Sequence, residues 1–109
     1  MSVREQYSES ILLPDVLSIR NISDIHSKIT ALFENNDSVV LDIPDRAEAD
    51  LSFVQLIEAV RRHAEANDKV LALAAPANGH VLKVLERAGF LEAFSGEDTK
   101  FWLHEEVKP

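Results

Sequence analysis

Hydrophobic positions follow two rhythms along this chain. Ile11, Leu12 and Leu13 form one short apolar run and Val16 to Ile19 another, separated by Pro14-Asp15. Proline followed by aspartate between two such runs reads as a turn, so the pair predicts a short hairpin. Beyond it Asn21 or Ser23 can cap a helix whose apolar positions, Ile22, Ile25, Ile29, Leu32 and Phe33, lie three and four apart. Asn35-Asn36-Asp37 stops it. Val39 to Ile43 is then a β-branched run closed by Pro44, the pattern of a strand buried on both faces.

A polar stretch, Asp45 to Asp50, leads into the clearest helix start. Ser52-Phe53-Val54-Gln55 fits a capping box, and Phe53, Leu56, Ile57, Val60 and Ala64 form the expected buried stripe. Val54 and Gln55 fall outside that stripe, and Arg61, Arg62, Glu65 and Asp68 lie on or near the opposite face. Val70 to Ala74 is a second buried strand, so residues 39–74 predict strand, helix and strand in a right-handed parallel crossover. Pro76 and Asn78 open a third helix with Val81, Leu82, Val84 and Leu85 inward, and Gly89 is placed to end it in the left-handed conformation with Phe90 packing back. The tail holds Phe94 and then Phe101-Trp102-Leu103, read as a final strand. Together these elements predict an α/β domain, with three main helices on a mixed or mostly parallel sheet of about four to five strands.

Composition narrows what such a domain can do. The 109 residues make one domain, with its core over 10–104 and loose polar ends over 1–9 and from Glu105 on. A net charge of −8 disfavours nucleic acid and anionic membranes as main partners. The absence of cysteine removes disulfides, thiolate metal sites and cysteine nucleophiles. No apolar run is long enough for a membrane span and the start lacks the apolar core of a signal peptide, so a cytoplasmic location is expected. The glycines form neither GxGxxG nor GxxxxGK.

Candidate chemistry concentrates after the central strand. Asp42, Asp45, Glu48 and Asp50 cluster where ligands bind in open α/β sheets. They admit either a metal or phosphoryl site of receiver type, or solvated loop residues with Asp50 assisting the helix start. A receiver needs an acidic pair after its first strand, and residues 11–19 offer only Asp15, in the turn. His26, His63, His80 and His104 show no ligand spacing and read as surface histidines. No GxSxG marks a nucleophilic serine. Glu58 and Glu65 accompany Arg61 and Arg62, which argues against a nucleic-acid patch. Trp102 reads as a core or edge-strand aromatic, or as an interface anchor. Ser52 is either the helix cap or a phosphorylation site at a helix N-terminus. No catalytic residue, metal site or cofactor is expected.

The VVLDI strand, Asp50-Leu51-Ser52 at the next helix, the strand from Val70 running into Ala75-Pro76, and the helix ending Leu85-Glu86-Arg87-Ala88-Gly89-Phe90 together resemble a STAS domain, the sulfate-transporter and anti-sigma-factor-antagonist fold. The resemblance covers about residues 10–94. In that family the helix start reads Asp-Ser-Ser-Gly or Asp-Thr-x-Gly. Here Asp50 matches the aspartate, Leu51 stands at the phosphoacceptor position, Ser52 matches the following serine and Phe53 replaces the glycine. The resemblance implies a non-enzymatic module that binds a kinase-like or ATPase domain in anti-sigma-factor or chemotaxis signalling, or one that serves as a subunit of an ABC-type lipid transporter. The usual phospho-switch would be lost or moved to Ser52. Its docking face would comprise Asp45, Arg46, Glu48, Asp50, Leu51, Ser52, Gln55, Glu58 and Arg62, with Val54 also outward.

Overall fold

Residues 8–105 are described by a computed structural model. In chain order the elements are β1 (Ser8–Leu12), β2 (Val16–Leu17), α1 (Ile22–Asn35), β3 (Ser38–Asp42), β4 (Glu48–Ala49), α2 (Leu51–Ala66), β5 (Val70–Leu73), α3 (Gly79–Arg87), α4 (Phe90–Ala93) and α5 (Gly96–Leu103). The three long-period helices and the strands at VVLDI and VLAL stand where the apolar pattern puts them, with each strand ending one residue earlier.

The sheet is parallel throughout. β3 is central, with β1 on one side (Ile11 opposite Leu41) and β5 on the other (Leu41 opposite Leu73). β2 and β4 form a separate two-residue parallel ladder, Val16 opposite Glu48 and Leu17 opposite Ala49. The expected hairpin therefore does not form. Pro14-Asp15 breaks the chain locally, but β1 satisfies its backbone on β3 and β2 on β4. The sheet is not mixed either, because every described pairing is parallel.

Side chains alternate across β3 and β5. Val39, Leu41, Leu71 and Leu73 are buried, whereas Val40 and Ala72 are only half-buried. β3 is thus buried on one face, not both. On its covered face α1 packs against β3 and α2 against β5, and the two helices touch each other. Ile25, Ile29 and Phe33 of α1 meet Phe53, Val54, Ile57, Val60 and Ala64 of α2 in this core. On the open face Leu12 is 71% and Val70 57% exposed.

Val54 is fully buried rather than outward, and Leu56 is the half-buried residue. The stripe of α2 is wider than a single line of three-and-four spacing because α3 packs on this helix as well. On α3 itself Val81 and Leu85 are buried, while Leu82 and Val84 are half-buried.

Gly89 follows α3 at φ +79° and its N–H bonds to the Glu86 carbonyl at 3.1 Å. This is the left-handed termination expected of a glycine after a helix, and Phe90 packs against the core behind it.

The Phe101-Trp102-Leu103 segment is helical, not a strand. Ser95 and Asp98 close a reciprocal capping box at the start of α5, and Trp102 is carried into the core. At the N-terminus Ser8 and Glu9 belong to β1, so these two are not part of the loose end expected over 1–9. Residues 1–7 and 106–109 lie outside the described residues.

Candidate functional site

Two short parallel strands and one helix cap build the site. The Glu48 N–H donates to the Asp15 carbonyl (2.7 Å) and the Asp50 N–H to the Leu17 carbonyl (3.1 Å), which clamps the segment before α2 onto β2. Asp50, not Ser52, is the N-cap. Its Oδ1 accepts from the Phe53 N–H at 3.4 Å and from the Ser52 hydroxyl at 2.5 Å. Its Oδ2 accepts from the Ile19 N–H at 3.0 Å. One carboxylate thus ties the helix start to the end of the β2 segment, and that tertiary bond decides between two neighbouring residues of good capping type. Ser52 lies inside the first turn of α2 as a donor to the cap, and the expected capping box with Gln55 is absent.

Partial desolvation pushes the Asp50 pKa up. The hydrogen bonds from the Ser52 hydroxyl, the Ile19 N–H and the Phe53 N–H outweigh it and hold the group below the ordinary aspartate range.

Around this cap three large apolar side chains face solvent. Val16 is 43%, Ile19 70% and Leu51 43% exposed. Val16 sits opposite Glu48 in the ladder, Ile19 is bonded to Asp50, and Leu51 is the next residue. Only two other large apolar residues among those described are strongly exposed, Leu12 and Val70 on the open sheet face. Sequence reading missed Val16 and Ile19, because a four-residue apolar run looks buried throughout. The serine at position 18 signals that Val16 shares an outward face with it, whereas Ile19 lies beyond the end of β2, where alternation no longer applies.

The other candidate residues divide. Asp45, Arg46 and Glu48 are exposed beside the cap. Arg46 Nε stands 3.9 Å from Asp15 Oδ1, and Asp45 Oδ1 accepts from Asn78 Nδ2 at 3.1 Å. Leu51, Gln55 and Arg62 follow one exposed line along α2, since four- and seven-residue steps return to the same helix face. Glu58 lies on the same helix face but is half-buried there. Its Oε1 accepts from Trp102 Nε1 (2.7 Å) and from Arg61 (3.0 Å), so it holds α5 in place.

All four histidines are exposed. Among the described residues no group of three or more His, Asp or Glu side chains is disposed to hold a metal ion. The two larger grooves lie elsewhere, one of about 660 Å³ between β5 and α5 and one of about 590 Å³ between α1 and α2. Among the described residues no helix is long and apolar enough to cross a membrane. Comparison with protein-family models, curated proteins and solved structures finds no match for this chain.

Proposed function

We propose that this protein is a STAS-type regulatory module that binds a kinase-like or ATPase protein through the edge formed by β2, β4 and the start of α2. The observation that carries this reading is the gathering of exposed Val16, Ile19 and Leu51 around the Asp50 cap. A solvent-facing apolar centre framed by polar groups is the usual anatomy of a docking surface. Carboxylates dominate the frame, with Asp15, Asp45 and Glu48 alongside Arg46. In a chain of net charge −8 this favours a partner whose rim is basic.

The phosphoacceptor position of the family is filled by leucine, so binding here is constitutive with respect to that residue. Leu51 supplies apolar contact where relatives of that type would carry a phosphate. The anti-sigma-factor and chemotaxis settings and the lipid-transporter setting share this docking chemistry. The receiver-type alternative is disfavoured, since Asp45 is engaged with Asn78 and Asp50 with three donors.

The test is affinity capture with the full chain against its Ile19→Asp/Leu51→Asp double variant. Wild type should retain a kinase-type or ATPase protein that the variant loses. Equal retention by both would remove the assigned surface. Capture by wild type of partners from which such proteins are missing would remove the assigned class.

A further inference from the structure

We propose that Asn78 is a site of spontaneous deamidation whose product releases the loop carrying Asp45. The chain contains one Asn-Gly pair, Asn78-Gly79, and the structure presents it in a form suited to cyclisation. Asn78 is exposed, with φ −145° and ψ −179°. That ψ turns the following nitrogen closer to the Asn78 Cβ than either helical or ordinary strand dihedrals do. Gly79 has no Cβ to obstruct the approach. Among the described residues its N–H has no hydrogen-bond partner, as expected in the first turn of a helix. The N-terminal end of α3 also favours the negative charge that develops in the reaction.

Glycine at position 79 is demanded by packing. Its φ is +53°, and a Cβ there would stand 2.9 Å from the Asp45 carbonyl oxygen. The Asp45 side chain meanwhile accepts from Asn78 Nδ2. One residue therefore touches both members of the pair, and its carboxylate accepts from the amide nitrogen that departs.

The chemistry balances with water alone. The Gly79 nitrogen gives its proton to solvent base and bonds to Asn78 Cγ. The Cγ–Nδ2 bond breaks, and the nitrogen takes a proton from water and leaves as ammonia. Water then adds to either carbonyl of the ring, opening it to an aspartyl or isoaspartyl residue at position 78. No electrons are gained or lost. The product replaces a donor to Asp45 by a second carboxylate, so attraction across that contact becomes repulsion. Asp45, Arg46 and Glu48 belong to the docking edge, and only this consequence for binding rests on the function proposed above.

The test follows the intact chain in warm, mildly alkaline buffer by mass spectrometry of its peptides, which needs no partner. Conversion at Asn78 should outrun that at Asn21, Asn35, Asn36 and Asn67, with both aspartyl and isoaspartyl products, and the Asn78→Gln variant should show none at that position. An unconverted Asn78 in the folded chain, while the denatured chain converts there, would overturn the site. Asn78→Asp keeps a good capping residue and reports the consequence separately. Hydrogen exchange at the Ala47 N–H, which bonds to the Pro44 carbonyl at 2.9 Å, should accelerate in that variant. Unchanged exchange would overturn the release of the loop.

Discussion

Trp102 Nε1 donates to Glu58 Oε1 at 2.7 Å, joining α5 to α2 across 44 residues of chain. Arg61 completes the joint. Its guanidinium bonds to Glu58 and to Asp98, each at 3.0 Å, and lies 4.2 Å from the centre of the Phe101 ring. Neither helix needs these bonds to form, so they report on how the last helix is held.

Glu58→Ala leaves the indole N–H of a fully buried tryptophan without its acceptor, a change worth about 1–3 kcal/mol. Glu58→Gln keeps an acceptor oxygen and should lose clearly less. Urea unfolding followed by the fluorescence of the chain's one tryptophan measures both. Equal losses would mean that the charge of the carboxylate, paired with Arg61, and not the bond to Trp102 sets the stability.

The two residues that could cap α2 give a second comparison. Asp50→Ala removes the acceptor for Phe53 and Ile19 and should cost about 0.5–2 kcal/mol. Ser52→Ala removes one donor to a carboxylate that keeps its other partners, and should cost less. The reverse order in denaturant melts would return the cap to Ser52.

Burial along α2 predicts a contrast between neighbours. Ile57 is fully buried, so Ile57→Ala should lose about 2–5 kcal/mol. Leu56 is half-buried and its truncation to alanine should lose less than half as much. Val54→Asp should prevent folding, which expression and circular dichroism would show, whereas Gln55→Asp should leave stability nearly unchanged.

Acid should weaken the fold through two aspartates. In Asp98, partial desolvation raises the pKa, but bonds from the Ser95 N–H and from Arg61 lower it further, as the donors around Asp50 do for that residue. Both folded values lie below the unfolded value of about 3.9. Between the two, the unfolded chain binds more protons, so stability rises with pH there. The contribution is complete above the unfolded value and is lost as pH falls through the folded values. Stability measured from pH 6 downward should therefore fall less steeply in Asp50→Asn than in wild type below about pH 4.

Much of this architecture is legible along the chain. Three- and four-residue apolar spacing locates α1, α2 and α3, β-branched runs locate β3 and β5, and Gly89 marks where α3 must end. Each of these is a local pattern backed by burial against the same core. The errors arise where local signals compete. Phe101-Trp102-Leu103 has the look of a strand, yet Ser95 and Asp98 at the spacing of a capping box were a readable sign of the helix it joins.

Tertiary structure alone decided the rest. Pro14-Asp15 announces a break, but nothing near it says that β1 pairs with β3 and β2 with β4, since partners in parallel sheets are distant in sequence. Asp50 and Ser52 are equal as caps until the Ile19 N–H arrives from 31 residues away. Val54 looks outward from the spacing of α2 alone, yet it is fully buried in the fold. The exposed cluster of Val16, Ile19 and Leu51 follows from the same long-range pairings. Periodicity tells a residue which face of its own element it occupies, and only packing decides whether another element lies against that face.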